Sequence, residues 1–519
     1  MRRINFPLLV LGSVLLLRVA TARAADKPRY GGTLRVEVPA ASVSLDPREW
    51  RVGSLESATN EKLAALVLER LVALDNYGRF QPVLAADWSH DGSSKRWQFA
   101  IRSGIKFSDG TGLTPAEIVA ALQPLLPGTE QIFASGNTVV IQSTPPVPDL
   151  LEQLSSGRYF IYRLQTNGAL AGTGPFVLSE APSGGTASHG VGAHLYFRAN
   201  EEAWSGRPFV DGIDVTLGVA PLRAMFDLQL GKADLIELAP DLVPRAKQAN
   251  LRVWTSEPVT LYGLRFDDAQ AAVSDVRLRE ALSLSLDRGT MANVLLQKQA
   301  EPAAALLPQW LSGYAFLFNV DTNLERAKEL RRGLPANEAA GLEPLRLRVD
   351  PSGDLAKLLG ERVAVNARQA AILVQVISRP IPRTGAPSSA ASDPPSGVHL
   401  FAWHYSSLSP HAELDSLFAA YNLTEASEVN ATSTDHEQLY ARERKVLEER
   451  RVLPLVVQAE SVGLGPMVRD WMPARWGEWH LADVWLELPE PAPADSLNTG
   501  NAAAPSSPQP RPTAPGVKP

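Results

Sequence analysis

Three aromatic side chains with polar neighbours stand together late in the chain: Trp403, His404 and Tyr405, followed by Ser406 and Ser407. Aromatic rings can stack on a ligand, while ring nitrogens and hydroxyls can hydrogen-bond to it, and small-molecule pockets combine these two features. The stretch could therefore bind a small solute such as a sugar or a neutral chelate. The alternative is that Trp403 and its neighbours belong to the core, because large aromatic residues commonly pack there.

Patterns that indicate catalysis or metal binding are missing. The eight histidines are scattered, and His189 and His194 are five residues apart, which does not put them on one helix face. The sequence has no cysteine, no phosphate-binding loop and no Gly-x-Ser-x-Gly elbow. We therefore expect a protein that is not an enzyme, with no catalytic residues, no metal site and no cofactor.

The composition is that of a folded, multi-part protein that is acidic overall. The chain has 519 residues, with 45% hydrophobic and 20% charged residues and a formal net charge of -6. A chain of this length exceeds one ordinary core, so two or three substructures are expected. The negative charge disfavours binding to nucleic acid and to anionic membranes.

The first 24 residues have the pattern of a signal peptide. Arg2 and Arg3 give a positive start, residues 6–17 form an apolar run, and Ala22 and Ala24 suit cleavage before Ala25. The run is shorter than the ~20 apolar residues that span a bilayer. Without a cysteine there is no lipid-acceptor site either. We expect a periplasmic protein, with free secretion as the alternative.

Strands and helices alternate along the chain. Residues 32–38 and 97–101 alternate apolar and polar side chains, as half-buried strands do, and residues 57–73 have helical spacing. Thr114 can cap a helix that Pro115 begins, and Glu117 can complete a capping box. The fold class predicted from this alternation is α/β or mixed α+β.

The second half of the chain continues this pattern. A helix is predicted from Asp275 to about Leu286, and a charged helix over residues 436–450. Residues 452–457 indicate a buried strand, in which Pro454 favours an edge position. Residues 380–395 and 489–519 are rich in Pro, Ala and Ser, which predicts an exposed loop and a disordered tail.

Several spaced segments together resemble one family, the bacterial extracellular solute-binding proteins of family 5, which include oligopeptide, dipeptide and nickel receptors. The similar segments are residues 68–75, 82–88, 97–102, 104–110, 113–119, 172–178, 228–235 and 275–282. Most of these positions are turn glycines, capping residues and apolar residues. The resemblance therefore supports the fold more strongly than it supports any one ligand.

The resemblance implies a two-lobed, class II periplasmic-binding-protein-like fold with an extra inserted domain. Lobe I would hold residues 25–55, 172–260 and 460–488, the inserted domain II residues 56–171, and lobe III residues 261–459. The implied function is the substrate-binding component of an ABC importer, which captures a peptide or similar small solute by hinge closure. Its partners would be that ligand and the inner-membrane ABC permease, and we expect a monomer.

The sequence departs from the peptide-binding members of this family at the ligand segment. Those members have an aspartate shortly after the tryptophan, where this chain has Ser406 and Ser407 and no acid before Glu413. A buried ammonium without a counter-ion is costly. A nickel or other metal chelate, a sugar, or a sensor or adaptor role without a transporter therefore remains an alternative.

Four further residues are candidates for ligand contact. Tyr262 and Arg265 could face the cleft, where an arginine would favour a carboxylate ligand. Ser42 and Ser44 follow the first predicted strand and could face the same cleft. With Trp403, His404, Tyr405 and Ser406, they complete the predicted ligand-binding set.

Overall fold

The structure, a computed structural model, describes residues 27–487 with internal gaps. The gaps are 76, 167, 180–191, 268–270, 315–317, 319–320, 335–343, 351–352, 379–395 and 424–435. The predicted signal peptide, the predicted loop at 380–395, the predicted tail at 489–519 and His189 lie outside the described residues.

The helices are short, apart from α10 and α12. In chain order they are α1 (Leu55–Ala64), α2 (Pro115–Leu122), α3 (Leu150–Leu154), α4 (Pro221–Gln229), α5 (Val243–Gln248), α6 (Val276–Ser285), α7 (Arg288–Thr290), α8 (Gln309–Ser312), α9 (Leu324–Arg332), α10 (Asp354–Gln369), α11 (Pro410–Tyr421) and α12 (His436–Glu448). Short 3-10 turns lie at Pro47–Glu49, Gly157–Tyr159, Pro240–Leu242 and Ala271–Ser274, and a π turn at Met291–Leu295.

The strands include two that are much longer than the others, β14 and β19. They are β1 (Thr33–Glu37), β2 (Val72–Leu74), β3 (Phe80–Pro82), β4 (Ala85–His90), β5 (Arg96–Ile101), β6 (Glu130–Ser135), β7 (Thr138–Ser143), β8 (Arg163–Leu164), β9 (Leu170–Ala171), β10 (Phe176–Ser179), β11 (His194–Ala199), β12 (Gly212–Thr216), β13 (Leu235–Leu238), β14 (Arg252–Phe266), β15 (Ala300–Pro302), β16 (Leu345–Val349), β17 (Val374–Ser378), β18 (Val398–His404), β19 (Val452–Leu464), β20 (Val468–Arg469) and β21 (Trp485–Leu486).

One large sheet joins the two halves of the molecule. Its strand order is β10-β11-β12-β1-β13-β19-β14-β18-β16-β17, with β15 paired to β19. The strands β12, β1 and β13 are parallel in one half, and β18, β16 and β17 are parallel in the other. The antiparallel pair β14 and β19 crosses between them, so these two long strands connect the lobes.

The crossing strands are irregular where they pass from one half to the other. The register between β14 and β19 shifts between Thr255 and Pro258 and again between Pro258 and Thr260. Such irregularities interrupt a ladder and bend the strand. A bend at this point lies next to the end of β18, because Thr260 pairs with His404.

The expectation of an edge position is wrong for β19 as a whole but holds locally at Pro454, which has a strand partner only in β14. Pro454 lies in β19, which has β14 on one side and β13 and β15 on the other. The proline is tolerated because β15 pairs only as far as Val456, and a register shift in β14 lies beside Gly263, the partner of Pro454.

The helix-start predictions are confirmed in their caps. Thr114 and Glu117 form a reciprocal capping box at the start of α2, with Pro115 in the first turn. Asp275 caps α6 by accepting a hydrogen bond from the backbone N–H of Arg277. These local signals are independent of tertiary packing, which explains why the sequence reveals them.

Separate hydrophobic clusters lie in different parts of the chain. One contains the predicted strand at Trp97 and Phe99 with the rest of the four-stranded sheet β4-β5-β7-β6. Another joins β1, β11 and β12 and also contains Leu63 to Leu68, which the predicted boundaries assign to domain II. The division into domains stays a prediction, and this packing favours a boundary after Leu68.

Candidate functional site

A cavity with about 520 Å³ of empty volume lies where the crossing strands, α1 and the loop after β18 meet. We call it the junction cavity. Three separate segments supply most of its lining: Ala58, Glu61 and Lys62 from α1; His404, Tyr405, Ser406, Ser407 and Leu408 from the end of β18 and its loop; and Trp476, Gly477 and Glu478 near the C-terminal end. Arg70, Leu74, Ser155 and Trp310 complete the lining.

One wall of the junction cavity is a buried charge cluster of Glu61, Arg70 and Glu478. The Arg70 guanidinium donates to Glu478 and to the Ser155 carbonyl, and its Nη2 lies 3.7 Å from Glu61 Oε1. Burial alone raises the pKa of Glu478, but Arg70 and His480 outweigh burial and lower that pKa to about 2. Arg70 is therefore committed mainly to Glu478.

Glu61 is the less neutralised carboxylate of this cluster. Its Oε1 accepts a hydrogen bond of 2.7 Å from the backbone N–H of Gly157. Burial, reinforced by the charge of Glu478, raises the pKa of Glu61 to about 7, although Arg70 opposes the shift. A further positive charge that enters the cavity would stabilise the ionised form of Glu61.

The lining also contains a second buried ion cluster, around Lys62. Its Nζ lies 3.1 Å from Glu237 Oε1 on β13 and 2.7 Å from Glu460 Oε2 on β19. His404 Nδ1 lies 3.2 Å from Thr260 Oγ1, and burial together with the charge of Lys62 lowers the pKa of His404 to about 3. His404 is therefore a neutral wall of the cavity.

The loop after β18 is held in place by Glu413 of α11. Glu413 Oε1 accepts the backbone N–H groups of Ser406, at 2.6 Å, and Ser407, at 2.5 Å. Its Oε2 accepts the indole N–H of Trp403 at 2.9 Å. Glu413 thus fixes the conformation of the loop, and both of its carboxylate oxygens already accept hydrogen bonds from protein donors.

A second cavity, of about 620 Å³, adjoins the first across this loop. The two cavities share Glu61, Ser406 and Ser407. The second is otherwise lined by Pro47, Trp50, Val52, Gly53, Ser57, Gln153, Ser156, Arg158, Tyr159, Ala412, Glu413 and Ser416. Together they form a cleft between α1, the helix–turn region near Ser156 and the lobe that carries β18, with charged and apolar side chains in its lining.

Comparison with known proteins identifies the family. The model of the bacterial extracellular solute-binding proteins, family 5 Middle, matches residues 79–424. The chain belongs to this family. The periplasmic oligopeptide-binding protein OppA of Haemophilus influenzae is 22% identical over 304 residues, which are 51% of this chain and 56% of that protein. The nickel-binding periplasmic protein of Escherichia coli is 24% identical over 271 residues, 47% of this chain and 50% of that one.

Structural comparison agrees on the fold. The murein tripeptide binding protein MppA of Escherichia coli superimposes with a TM-score of 0.72 at 16% identity, over 89% of this chain and 99% of that one. The two-lobed family 5 fold is therefore the fold of this chain. The matched segments span about half of the two curated relatives, so the identity of the ligand is a separate question.

The aromatic segment at residues 403–407 is divided between core and cavity. His404, Tyr405 and Ser406 line the junction cavity, whereas Trp403 is buried and lines neither cavity. The aromatic surfaces in the junction cavity come instead from Trp310 and Trp476, which are both partly exposed. The ligand-contact role of this segment stays a prediction.

The other four candidates lie outside the lining of both cavities. Tyr262 is buried in the core of the lobe with β18, and Arg265 donates to Asp350 at 3.4 Å beside the Tyr421 ring. Ser42 is exposed, and Ser44 donates to Glu49 at 2.6 Å. Their roles as ligand contacts stay untested predictions.

Histidine and acidic side chains do not gather into a metal site within the part of the chain that the structure describes. His194 is exposed and pairs with Asp214 at 2.9 Å, and His411 does not line either cavity. None of the helices that the structure describes is long and apolar enough to cross a bilayer.

The sequence alone does not identify the charged residues that line the cleft. Glu61 and Lys62 lie inside a stretch that the sequence marks only as helical, and the contact between Arg70 and Glu478 joins positions 408 apart. Two adjacent charged residues on one helix usually indicate a solvated face. The one available signal was the crowding of charges at Glu61, Lys62, Glu69 and Arg70 among apolar neighbours.

A close contact between Gly53 and Trp403 makes a first prediction. Gly53 has φ +74°, and a Cβ there would lie 2.2 Å from the Trp403 ring. Gly53→Ala therefore adds overpacking of ~1–3 kcal/mol to the ~1–2 kcal/mol cost of a left-handed alanine. The matched control is Gly136→Ala, with φ +60° and open space around it. Chemical denaturation should show the larger loss for Gly53→Ala; equal losses would contradict the contact.

Buried glutamates make a second prediction, on the pH dependence of stability. Burial raises the pKa of Glu61, Glu69, Glu130, Glu413 and Glu443 to about 7. An unfolded glutamate has a pKa of roughly 4.3, so the folded chain binds more protons between these values. Stability should therefore fall as pH rises through this window. We expect a higher melting temperature at pH 5.5 than at pH 8.

Glu443→Gln is the variant that tests this cause. Glu443 Oε1 accepts the N–H groups of Leu306 and Leu307, and its Oε2 accepts the Tyr314 hydroxyl, a pattern that an amide can largely reproduce. The variant should fold and show a smaller pH effect. His404 acts in the opposite sense, because its lowered pKa removes stability as pH falls below ~6.5. A melting temperature that rises from pH 5.5 to pH 8 would contradict the prediction.

Proposed function

We propose that the chain is the periplasmic substrate-binding component of an ABC importer, and that it captures a peptide or similar small solute between its two lobes. It acts as a receptor and not as an enzyme, and it delivers its ligand to a permease in the inner membrane. The family supports this role, and relatives named for oligopeptide and nickel binding share it.

The observation that carries the proposal is the cleft at the junction of the lobes, which combines buried charges with apolar surface. It is lined by α1, by the loop after β18 and by a C-terminal segment, which meet beside the irregular part of the crossing strands. A ligand there would touch both lobes at once. Closure follows when the ligand binds the closed arrangement better than the open one.

The chemistry of the cleft favours a solute that carries an ammonium group. Glu61 lies between the two cavities with only partial neutralisation by Arg70, 3.7 Å away. It can supply the counter-ion that Ser406 and Ser407 lack. Trp310 and Trp476 offer rings for the apolar part of the ligand, and Arg70 Nε is a buried donor without a hydrogen-bond partner among the described residues.

Isothermal titration with a panel of short peptides, free amino acids, sugars and metal chelates tests the proposal. We expect binding by at least one ammonium-bearing member. Ser406→Trp would fill the cleft and abolish that binding, because Ser406 lines both cavities. Ser135→Trp on the exposed β6–β7 turn is the matched control and should bind normally. Binding that survives Ser406→Trp, or binding by no member of the panel, would refute the proposed site.

A further inference from the structure

A third cavity lies in the lobe that carries β18, away from the residues that line the cleft. It has about 640 Å³ of empty volume and is lined by parts of α6, α7, α12 and β19. None of its lining residues belongs to the junction cavity or to the adjoining one. We call it the arginine cavity, because Arg288, Arg444 and Arg450 line it.

The floor of the arginine cavity is a buried cation. The Arg288 side chain is 3% exposed, and it donates to the carbonyls of Pro454, at 2.7 Å, and Ser283, at 3.1 Å. No carboxylate pairs with it among the described residues. Burial, with the charge of Arg450 added, lowers the pKa of Arg288 to about 10.

The rim adds two further arginines and one acid. Arg444 pairs with Glu448 at 2.7 Å, but both side chains are mostly exposed, so this pair screens little of the charge. The side chain of Arg450 has no ion-pair or hydrogen-bond partner in the described part of the chain. Among the described residues, the lining of the cavity therefore holds three cations against one carboxylate, which is an excess of positive charge.

An aromatic wall completes the arginine cavity. The rings of Phe318 and Tyr440 both line it, and their centroids lie 5.0 Å apart with an interplanar angle of 34°. An apolar wall beside guanidinium groups suits a molecule with an anionic end and an apolar end. Guanidinium groups match planar or tetrahedral oxyanions through paired hydrogen bonds.

We propose that the arginine cavity is a second binding site, for a small organic oxyanion held by Arg288, Arg444 and Arg450 against the Tyr440 ring. Carboxylates and phosphate esters share this chemistry. The site shares no lining residue with the cleft, so its test does not depend on the proposed receptor function. Binding there would relieve the repulsion between Arg288 and Arg450.

Titration with phenyl phosphate, inorganic phosphate and benzoate tests the site in the full chain. We expect phenyl phosphate to bind, and Arg450→Gln to weaken it by about tenfold, the loss of one charge-assisted hydrogen bond. Glu448→Gln should strengthen binding, because it removes the one carboxylate among the described residues that line the cavity. Comparison of the three probes separates phosphate from carboxylate preference.

Two controls separate this site from its surroundings. Arg442→Gln removes an arginine of α12, the helix that also carries Arg444. Arg442 pairs with Asp415 and does not line the arginine cavity, so this variant should leave binding unchanged. Ser406→Trp fills the cleft and should also leave binding unchanged. The proposal is overturned if no probe binds, if Arg450→Gln binds like the wild type, or if Ser406→Trp abolishes binding.

Discussion

Replacing Lys62 by methionine should lower the free energy of unfolding by about 3–5 kcal/mol, the usual cost of removing one partner of a buried ion cluster. Only 7% of the Lys62 side chain is exposed, and its Nζ lies within 3.1 Å of Glu237 and Glu460. Methionine fills a similar volume, so the loss comes from the two carboxylates that are left without a counter-ion. Urea denaturation measures it.

The pH range of this effect follows from the direction of the pKa shift. Burial alone lowers the pKa of Lys62, but Glu237 and Glu460 outweigh burial and raise it above the usual range. The stabilisation by a group with a raised pKa is complete below its unfolded value and is lost as pH rises through the folded value. Lys62 therefore keeps its charge at both pH 6 and pH 8, and the loss caused by Lys62→Met should be present at both.

The control for this variant is Lys106→Met. Lys106 pairs with Glu202 at 3.2 Å, but both side chains are more than half exposed. Exposed pairs contribute roughly 0–1 kcal/mol, so its variant should unfold at nearly the wild-type denaturant concentration. A loss below ~1 kcal/mol for Lys62→Met would mean that the cluster does not join α1 to the crossing strands.

Glu61→Gln should weaken the binding of an ammonium-bearing solute by at least tenfold, since charge-assisted hydrogen bonds contribute about 1.5–3 kcal/mol. Glutamine keeps the oxygen that accepts the Gly157 N–H, so the fold should survive. The control is Glu56→Gln, on an exposed position of the same helix. Equal affinities of both variants for the solute would contradict the role of Glu61.

The same interaction predicts how affinity depends on pH. The pKa of Glu61 is about 7, so the carboxylate becomes neutral as pH falls below that value. Affinity for a cationic solute should then decrease by up to about tenfold per pH unit, by linkage. Glu61→Gln should remove most of this dependence, which separates Glu61 from other groups that titrate nearby.

Local chemistry was readable from the sequence where one short segment decides the structure. The capping box of Thr114 and Glu117 depends on four successive residues and on no distant contact. The family resemblance likewise rested on turns and caps, and it led to the correct fold. The edge position at Pro454 is only local, because β13 and β15 flank other parts of β19, and the segment around Pro454 does not encode those distant pairings.

The candidate site was readable only in part. His404, Tyr405 and Ser406 were predicted as ligand contacts from their residue types and from the family resemblance; all three line the junction cavity, and their contact with a ligand stays a prediction. Trp403 has the same type but packs against Gly53, 350 positions earlier in the chain. Glu61, Arg70 and Glu478 come together only when distant segments meet, so the local crowding of charges around Glu61 and Arg70 does not by itself locate the cleft.

Native mass spectrometry of the protein, released gently from the cells that produce it, tests most directly whether the cleft holds one specific small solute. We expect one ammonium-bearing small molecule bound per chain. This molecule should be absent from Ser406→Trp and present in Ser135→Trp. If each of the three proteins shows only the mass of its own chain, and that mass stays unchanged when ammonium-bearing solutes are added, the proposal is contradicted.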